Sequence, residues 1–161
     1  MAHFAKIGID NKVIAVSVVD NINCMTIGGI EREEIGIEYL KNVHGHESWV
    51  QCSYWAKEGI RYEQDPVEGI RPTDTPAFRG NYPSAGWYWD SVNQIFYPPR
   101  PLDKDGESCE SWTLNTTTGV WSAPLVEPEL TQEQLNNGEV NVWDESAYQA
   151  DNTTGWTTIA E

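Results

Sequence analysis

The chain has 161 residues and a formal net charge of −15. A surface this acidic repels phosphate groups, so direct binding to nucleic acid is not expected. No apolar run approaches the roughly 20 residues that a membrane-spanning helix needs. The first six residues contain no apolar signal core. We therefore expect neither membrane insertion nor secretion.

The charge is distributed unevenly along the chain. Residues 1–102 carry thirteen acidic and nine basic side chains, whereas residues 103–161 carry twelve acidic side chains and one base, Lys104. A surface of this kind favours solubility at high copy number or a partner with a basic face.

A chain of this length can bury a hydrophobic core that is stable without disulfides or a bound metal. The cysteines are odd in number, widely spaced and without a CxxC pair: Cys24, Cys52 and Cys109. Three such thiols make no closed set of disulfides, which favours folding in the reducing cytoplasm of a cell.

The N-terminal part predicts a β-hairpin, a helix and a strand. Residues 4–9 and 12–19 are apolar or β-branched and flank an Asp-Asn turn, which is typical of a hairpin. Residues 31–43 have apolar side chains at helical spacing behind an acidic first turn, and Gly45 follows the end of this helix. Residues 49–55 are expected to form a strand.

The next segment, residues 57–85, is rich in proline, with Pro66, Pro72, Pro76 and Pro83. Because proline lacks a backbone N–H, this composition predicts an extended loop that follows the surface.

An internal repeat of 25 residues follows. The matched pairs are Trp87 and Trp112, Trp89 and Leu114, Asp90 and Asn115, Ile95 and Val120, Phe96 and Trp121, and Pro99 and Pro124. Each copy predicts two short strands around a turn that opens with Asp or Asn, over residues 86–97 and 111–122.

A looser third copy starts at residues 141–144 and, after a longer turn, ends at residues 154–157. Before it, Thr131 and Gln134 form a Thr-x-x-Gln capping box that favours one short helical turn.

These elements predict an α+β fold, mainly β, with short antiparallel strands, repeated β-hairpins and one main α-helix. Four segments are expected: the N-terminal hairpin, helix and strand (1–56), the proline-rich loop (57–85), the tandem Trp-rich hairpins (86–126), and an acidic C-terminal hairpin (127–161).

No catalytic signature is present, so we expect no enzyme and no catalytic residue. His44, His46 and Cys52 match no common zinc spacing. The acidic turn at residues 103–107 has its glycine at the fourth position rather than the sixth position that a calcium loop requires. Neither a metal nor a cofactor is expected.

The tryptophan residues are the candidates for contact with a partner or a glycan: Trp87, Trp89, Trp112, Trp121, Trp143 and Trp156. An exposed indole can stack on the apolar face of a sugar ring, but cross-strand packing is the favoured interpretation because isolated hairpins need it.

Several phrases together resemble a family of small proteins encoded by phages of marine bacteria, especially cyanophages. They run in order through roughly residues 1–125 and include Met1-Ala2-His3-Phe4-Ala5-Lys6, Asp10-Asn11-Lys12-Val13-Ile14, Trp49-Val50-Gln51-Cys52-Ser53-Tyr54, Phe78-Arg79-Gly80-Asn81-Tyr82, Gly86-Trp87-Tyr88-Trp89-Asp90, Phe96-Tyr97-Pro98-Pro99-Arg100-Pro101 and Ser111-Trp112-Thr113-Leu114-Asn115. The resemblance implies a protein of the virion and defines no functional residues.

The expected function is that of a phage structural protein, a capsid decoration or cement protein on the outer head surface. It would be made in the cytoplasm of the bacterial host and bind other virion proteins, the major capsid protein first among them. Self-association into a homo-oligomer stays open at this point. The alternative is a glycan-binding module associated with a tail or fibre, which would use the hairpin aromatics.

Overall fold

The computed structural model describes residues 1–160 and has an α+β fold that is mainly β, as predicted. Within these residues the strands are β1 Ala2–Ile7, β2 Val13–Val19, β3 Trp49–Cys52, β4 Ala56–Lys57, β5 Ile60–Asp65, β6 Gly69–Pro76, β7 Tyr88–Asp90, β8 Ile95–Tyr97, β9 Thr113–Asn115, β10 Val120–Ser122, β11 Glu139–Trp143 and β12 Trp156–Ala160. The α-helices are α1 Glu33–His44, α2 Gln132–Asn136 and α3 Glu145–Ala150.

The chain divides into two compact units. Unit 1 contains Met1–Pro99 together with Thr116–Val120, and unit 2 contains Arg100–Asn115 together with the chain from Trp121 onward. This division falls inside the segment 86–126 that the sequence presents as one region of tandem hairpins.

An antiparallel three-stranded sheet in the order β2-β1-β3 forms the centre of unit 1. The hairpin β1–β2 is confirmed, and its turn residues Asp10 and Asn11 have positive φ angles of 56° and 57°. Asp and Asn tolerate this left-handed conformation better than most residues, which explains why they occupy the turn. The strand predicted over residues 49–55 is shorter than expected, because β3 ends at Cys52.

Helix α1 covers one face of this sheet and confirms the predicted helix. Its last turn ends at Gly45, where φ is 61° and the N–H donates to the carbonyl of Lys41. Gly36 lies directly against the ring of Phe4, where a Cβ would collide with that ring. A glycine inside a helix costs about 1 kcal/mol, but here it allows the close approach that buries Phe4 completely.

The other face of β1 is buried as well. Ala5 and Ile7 pack in one cluster with Trp89 and Phe96 from the hairpin β7–β8. The central strand therefore has buried side chains on both of its faces.

The predicted loop over residues 57–85 is wrong for its first two thirds. Strands β4, β5 and β6 form an antiparallel sheet in that order, and only residues from 77 onward are irregular. Pro72 and Pro76 lie in β6, which is an edge strand, where a missing N–H removes no ladder hydrogen bond.

The two copies of the 25-residue repeat are both hairpins, as predicted. Strands β7 and β8 reappear as β9 and β10 with every boundary displaced by 25 residues. The last turn residue has positive φ in both copies, 57° at Gln94 and 70° at Gly119. Both turns also open with an Asx residue, Asp90 or Asn115, and this common turn sequence explains why the two hairpins have the same length.

Unit 2 contains the looser third copy. Strands β11 and β12 pair with Trp143 opposite Trp156, but helix α3 occupies the connection that was expected to be a turn. Asp144 caps this helix by accepting from the N–H of Ala147. The capping box is confirmed, since Thr131 and Gln134 exchange both of its hydrogen bonds at the start of α2.

Candidate functional site

The two edges of the N-terminal sheet are the most informative surfaces of unit 1. Because β1 lies between β2 and β3, each outer strand turns one row of backbone N–H and C=O groups away from the sheet. An unpaired row of this kind can accept a strand from another chain. Side chains of the same chain bind the backbone on the outer side of β3, whereas within residues 1–160 most of the outer side of β2 is left unpaired.

Two side chains cover the edge of β3. The N–H of Gln51 donates to Oε1 of Glu33 at 2.9 Å, and the carbonyl of Gln51 accepts from Nη1 of Arg79 at 2.7 Å. Arg79 also donates to both carboxylate oxygens of Glu33, at 2.7 and 2.9 Å. We call this group the capped edge, because a carboxylate and a guanidinium occupy the place of a neighbouring strand.

The capped edge is held by charge. Burial alone would raise the pKa of Glu33, but the hydrogen bonds from Arg79 and Gln51 and the positive charge of Arg79 outweigh burial and lower that pKa. The Glu33 carboxylate is therefore ionised at neutral pH and binds Arg79 as a bidentate pair.

Within residues 1–160, backbone pairing covers the outer edge of β2 at its first residue alone. The N–H of Val13 donates to the carbonyl of Trp87 at 2.7 Å, and the carbonyl of Val13 accepts from the N–H of Gly86 at 2.8 Å. Among residues 1–160, no strand pairs with the outer side of residues 14–19. We call residues 14–19 the open edge.

The open edge is apolar and uncharged, with the sequence Ile-Ala-Val-Ser-Val-Val. The side chains of Ile14 and Val18 are 51% and 53% exposed. Natural edge strands are usually protected by lysine, proline or a covering element, and this segment contains neither residue type.

An apolar cleft adjoins the start of the open edge. It has a volume of about 680 Å³ and is lined by Ile9, Ile14, Ala85 and their neighbours. Ile9 is 87% exposed. The polar side chains that line this cleft are Lys12 and His46. His46 already donates from Nε2 to the carbonyl of Ile7 at 2.7 Å.

The tryptophans predicted as contact residues fall into separate groups. In unit 1, Trp89 is buried against Phe96, with the ring centroids 4.6 Å apart, and Trp87 packs half-buried on the same cluster. Both rings belong to the core that supports β1.

In unit 2 three of the predicted tryptophans come together. Trp143 is buried and meets half-buried Trp112 and Trp156 at centroid distances of 6.0 and 5.2 Å. They line a cleft of about 320 Å³. The ring of Trp121 lies against the guanidinium of Arg100, whose Cζ is 4.5 Å from the ring centroid. None of the six predicted tryptophans is an exposed ring, and their role in glycan contact stays a prediction.

Sequence reasoning missed a second cleft in unit 1. It has a volume of about 670 Å³ and contains the exposed rings of Tyr54 and Phe78 beside Glu31 and Arg61. These residues lie far apart in sequence and share no motif, so only the fold brings them together.

The thiols are shielded. All three cysteines are free and buried. Burial raises the pKa of Cys52 to about 12, and burial together with the nearby carboxylates of Glu145 and Asp103 raises the pKa of Cys109 to about 11. Both side chains are therefore protonated thiols at neutral pH.

The acidic turn at residues 103–107 uses its first carboxylate internally. Asp103 accepts from the backbone N–H groups of Asp105, Glu107 and Glu145. Within residues 1–160, no group of three or more His, Cys, Asp or Glu side chains is placed to hold a metal ion. No helix in the same described range is long and apolar enough to cross a membrane.

Comparison of the chain with protein-family models, with curated proteins and with solved structures finds no match in any of the three.

Proposed function

We propose that the chain is a structural protein of a phage particle, a decoration protein that binds the outside of the head. The observation that carries the proposal is the open edge: the outer side of an apolar, uncharged strand, which pairs with no other strand within residues 1–160, on a chain whose net charge is −15. Exposed apolar surface of this kind marks a site of protein interaction. The resemblance to small phage-encoded proteins is the reason for proposing that the interaction takes place on a phage particle.

The distribution of charge supports the same proposal. Unit 2 contains twelve acidic and two basic residues of the sequence, whereas the strand β2 in unit 1 contains none of either. A protein that attaches in many copies benefits from an acidic surface for solubility and an apolar surface for attachment.

A decoration protein would stabilise a shell by mass action. A ligand that binds only the assembled shell stabilises that shell by RT ln(1 + [L]/Kd) for each site. Modest affinity at each site is then sufficient, because many sites act on one particle. The partner we propose is the major capsid protein, and no catalytic step is involved.

Quantitative composition of purified particles tests this function. We expect a copy number comparable with that of the shell subunits, and we expect particles assembled without the protein to release their contents at a lower temperature. Matched particles lacking an unrelated minor protein serve as the control. Density for the chain only at the tail or neck would reject the head assignment, and absence of the chain from particles would reject the virion role.

A further inference from the structure

We infer that the second cleft of unit 1 binds an uncharged pyranose ring of a glycan, with Tyr54 and Phe78 as the stacking side chains. Its volume of about 670 Å³ lies within the range of roughly 300–1,000 Å³ that small-molecule sites occupy. Gln51 and Cys52 of β3 line the cleft, whereas the open edge is the outer side of β2, across the sheet. A chain attached through the open edge therefore keeps this cleft accessible. The binding activity goes beyond the proposed function.

The aromatic side chains of the cleft are exposed and held in place by their neighbours. Tyr54 is 57% exposed, and its ring meets the rings of Trp55 and Tyr82 edge-on at centroid distances of 5.2 and 5.6 Å. Phe78 is 47% exposed, although the Cζ of Arg79 lies 4.8 Å from its ring centroid. A fixed, flat ring fits the apolar C–H face of a pyranose. The six tryptophans named from the sequence offer no comparable exposed ring.

Polar side chains of the same cleft have donors and acceptors to spare. Oε1 of Glu31 accepts from Nε2 of Gln51 at 2.6 Å, which fixes the carboxylate and leaves Oε2 for a ligand. Oγ of Ser53 accepts from the N–H of Trp55 at 3.3 Å and keeps its own O–H as a donor. Within residues 1–160, the guanidinium of Arg61 forms no hydrogen bond or ion pair. Because a hydroxyl group both donates and accepts, the rim of a sugar can bond to all three side chains.

The charges in the cleft favour an uncharged ligand. The ionised side chains that line it are one carboxylate, Glu31, and one guanidinium, Arg61, and their charges balance. Burial lowers the pKa of His3, so the imidazole in this cleft is neutral at pH 7. A phosphate or carboxylate on the ligand would be repelled by Glu31 and by a chain whose net charge is −15. Nucleotides and acidic lipids are therefore poorer ligands than a neutral sugar.

An extended peptide is a poorer ligand as well. Peptides that bind beside a sheet gain affinity from backbone hydrogen bonds to a free strand edge. Here the N–H and C=O of Gln51 are already bonded to Glu33 and Arg79, and Pro76 has no N–H to offer. Recognition in this cleft therefore depends on side chains, which suits a compact ring that carries hydroxyl groups.

Chemical-shift mapping of the isolated protein by NMR tests the inference. The probes are the methyl glycosides of glucose, galactose, mannose and N-acetylglucosamine, titrated to about 50 mM because ligands of this size bind with dissociation constants in the millimolar range. We expect at least one probe to shift the amide signals of residues 51–55 and Phe78. We also expect saturation transfer from the protein to the C–H protons of that sugar.

Two variants locate the binding in the cleft. Tyr54→Ala removes a stacking ring and Arg61→Gln removes the free guanidinium, and each should weaken binding about tenfold or more. Arg61→Gln also keeps the test valid if Tyr54→Ala unfolds, because the Arg61 side chain is exposed and makes no bond to the chain. The control Tyr39→Ala removes a tyrosine that is 37% exposed on α1, outside the cleft, and should bind like the unmodified chain.

The inference fails if none of the four glycosides shifts signals at the cleft, or if Arg61→Gln and the folded Tyr54→Ala bind as well as the unmodified chain. It also fails if adenosine monophosphate or a proline-rich tetrapeptide binds the cleft more tightly than every glycoside. Each of these results leaves the proposed function intact, because attachment to a phage head is assigned to the open edge and is measured on particles.

Discussion

The two outer strands of the N-terminal sheet have the same central neighbour but different surroundings. On β3, Glu33 and Arg79 bind the backbone of Gln51 and bind each other. On β2, no strand within residues 1–160 pairs with the outer side of the backbone from residue 14 onward. One edge is closed by charged side chains, and the other is left open and apolar.

The difference indicates which edge is structural and which is available for contact. Closing an edge with an ion pair requires three residues from distant parts of the chain to meet, so the capped edge contributes to the stability of unit 1. An open apolar edge contributes nothing to an isolated chain and exposes it to aggregation. We therefore propose that a partner covers this edge.

The largest effect is expected from removing Arg79, whose side chain is only 14% exposed. Arg79→Ala removes the guanidinium that donates to the Glu33 carboxylate and to the Gln51 carbonyl, and we expect a loss of about 2–4 kcal/mol in the free energy of unfolding. Urea unfolding followed by circular dichroism measures it. The control is Arg71→Ala, which removes ion pairs to Glu63, Asp65 and Glu68 at an arginine side chain that is 45% exposed, and it should cost about 1 kcal/mol or less. Equal losses for the two variants would remove the distinction between a capped and an open edge.

A smaller, pH-dependent effect is expected at Glu33. Because its pKa is lowered in the folded chain, its contribution to stability is complete above its ordinary pKa of 4.5 and is lost as the pH falls through the lowered value. At pH 7 we expect Glu33→Gln to be less stable than the unmodified chain by about 1–3 kcal/mol. The gap should narrow in unfolding experiments below pH 4.5. The neighbouring exposed residue provides the control Glu34→Gln, and a gap that widens on acidification would contradict the account.

The smallest effect on stability is expected at the open edge. Ile14→Lys and Val18→Lys change half-exposed side chains on an unpaired strand, and each should alter the free energy of unfolding by no more than about 0.5 kcal/mol. The same urea experiment measures both. A loss of about 2 kcal/mol or more in either variant would mean that β2 is as important to the isolated fold as the capped edge, and the contrast would fail.

Local sequence signals predicted much of the fold. The Asp-Asn turn, Gly45 after α1, the capping box at Thr131 and the 25-residue repeat each depend on residues close together in the chain. The structure contains all four, because turn and cap chemistry acts over a few residues.

The remaining features depend on long-range contacts. Prolines in residues 57–85 favoured a loop, but an edge strand tolerates proline, and β6 shows this. Helix α3 lies where a turn was expected, since its capping residue Asp144 carries no pattern distinct from a turn. The capped edge joins Glu33, Gln51 and Arg79, which no local pattern connects.

The candidate site was predicted only in part. The apolar hairpin β1–β2 was recognised from its sequence, and its open edge follows from the order of the sheet. The contact role given to the tryptophans remains untested, while the positions of Trp89 and Trp156 are explained by their packing against Phe96 and Trp143.

The most direct test of the central claim is an image of the assembled particle at a resolution that separates strands. The account predicts that another protein of the particle covers the outer side of residues 14–19. A particle in which the chain is attached through the cleft of Tyr54 and Phe78, with residues 14–19 still facing solvent, would contradict it.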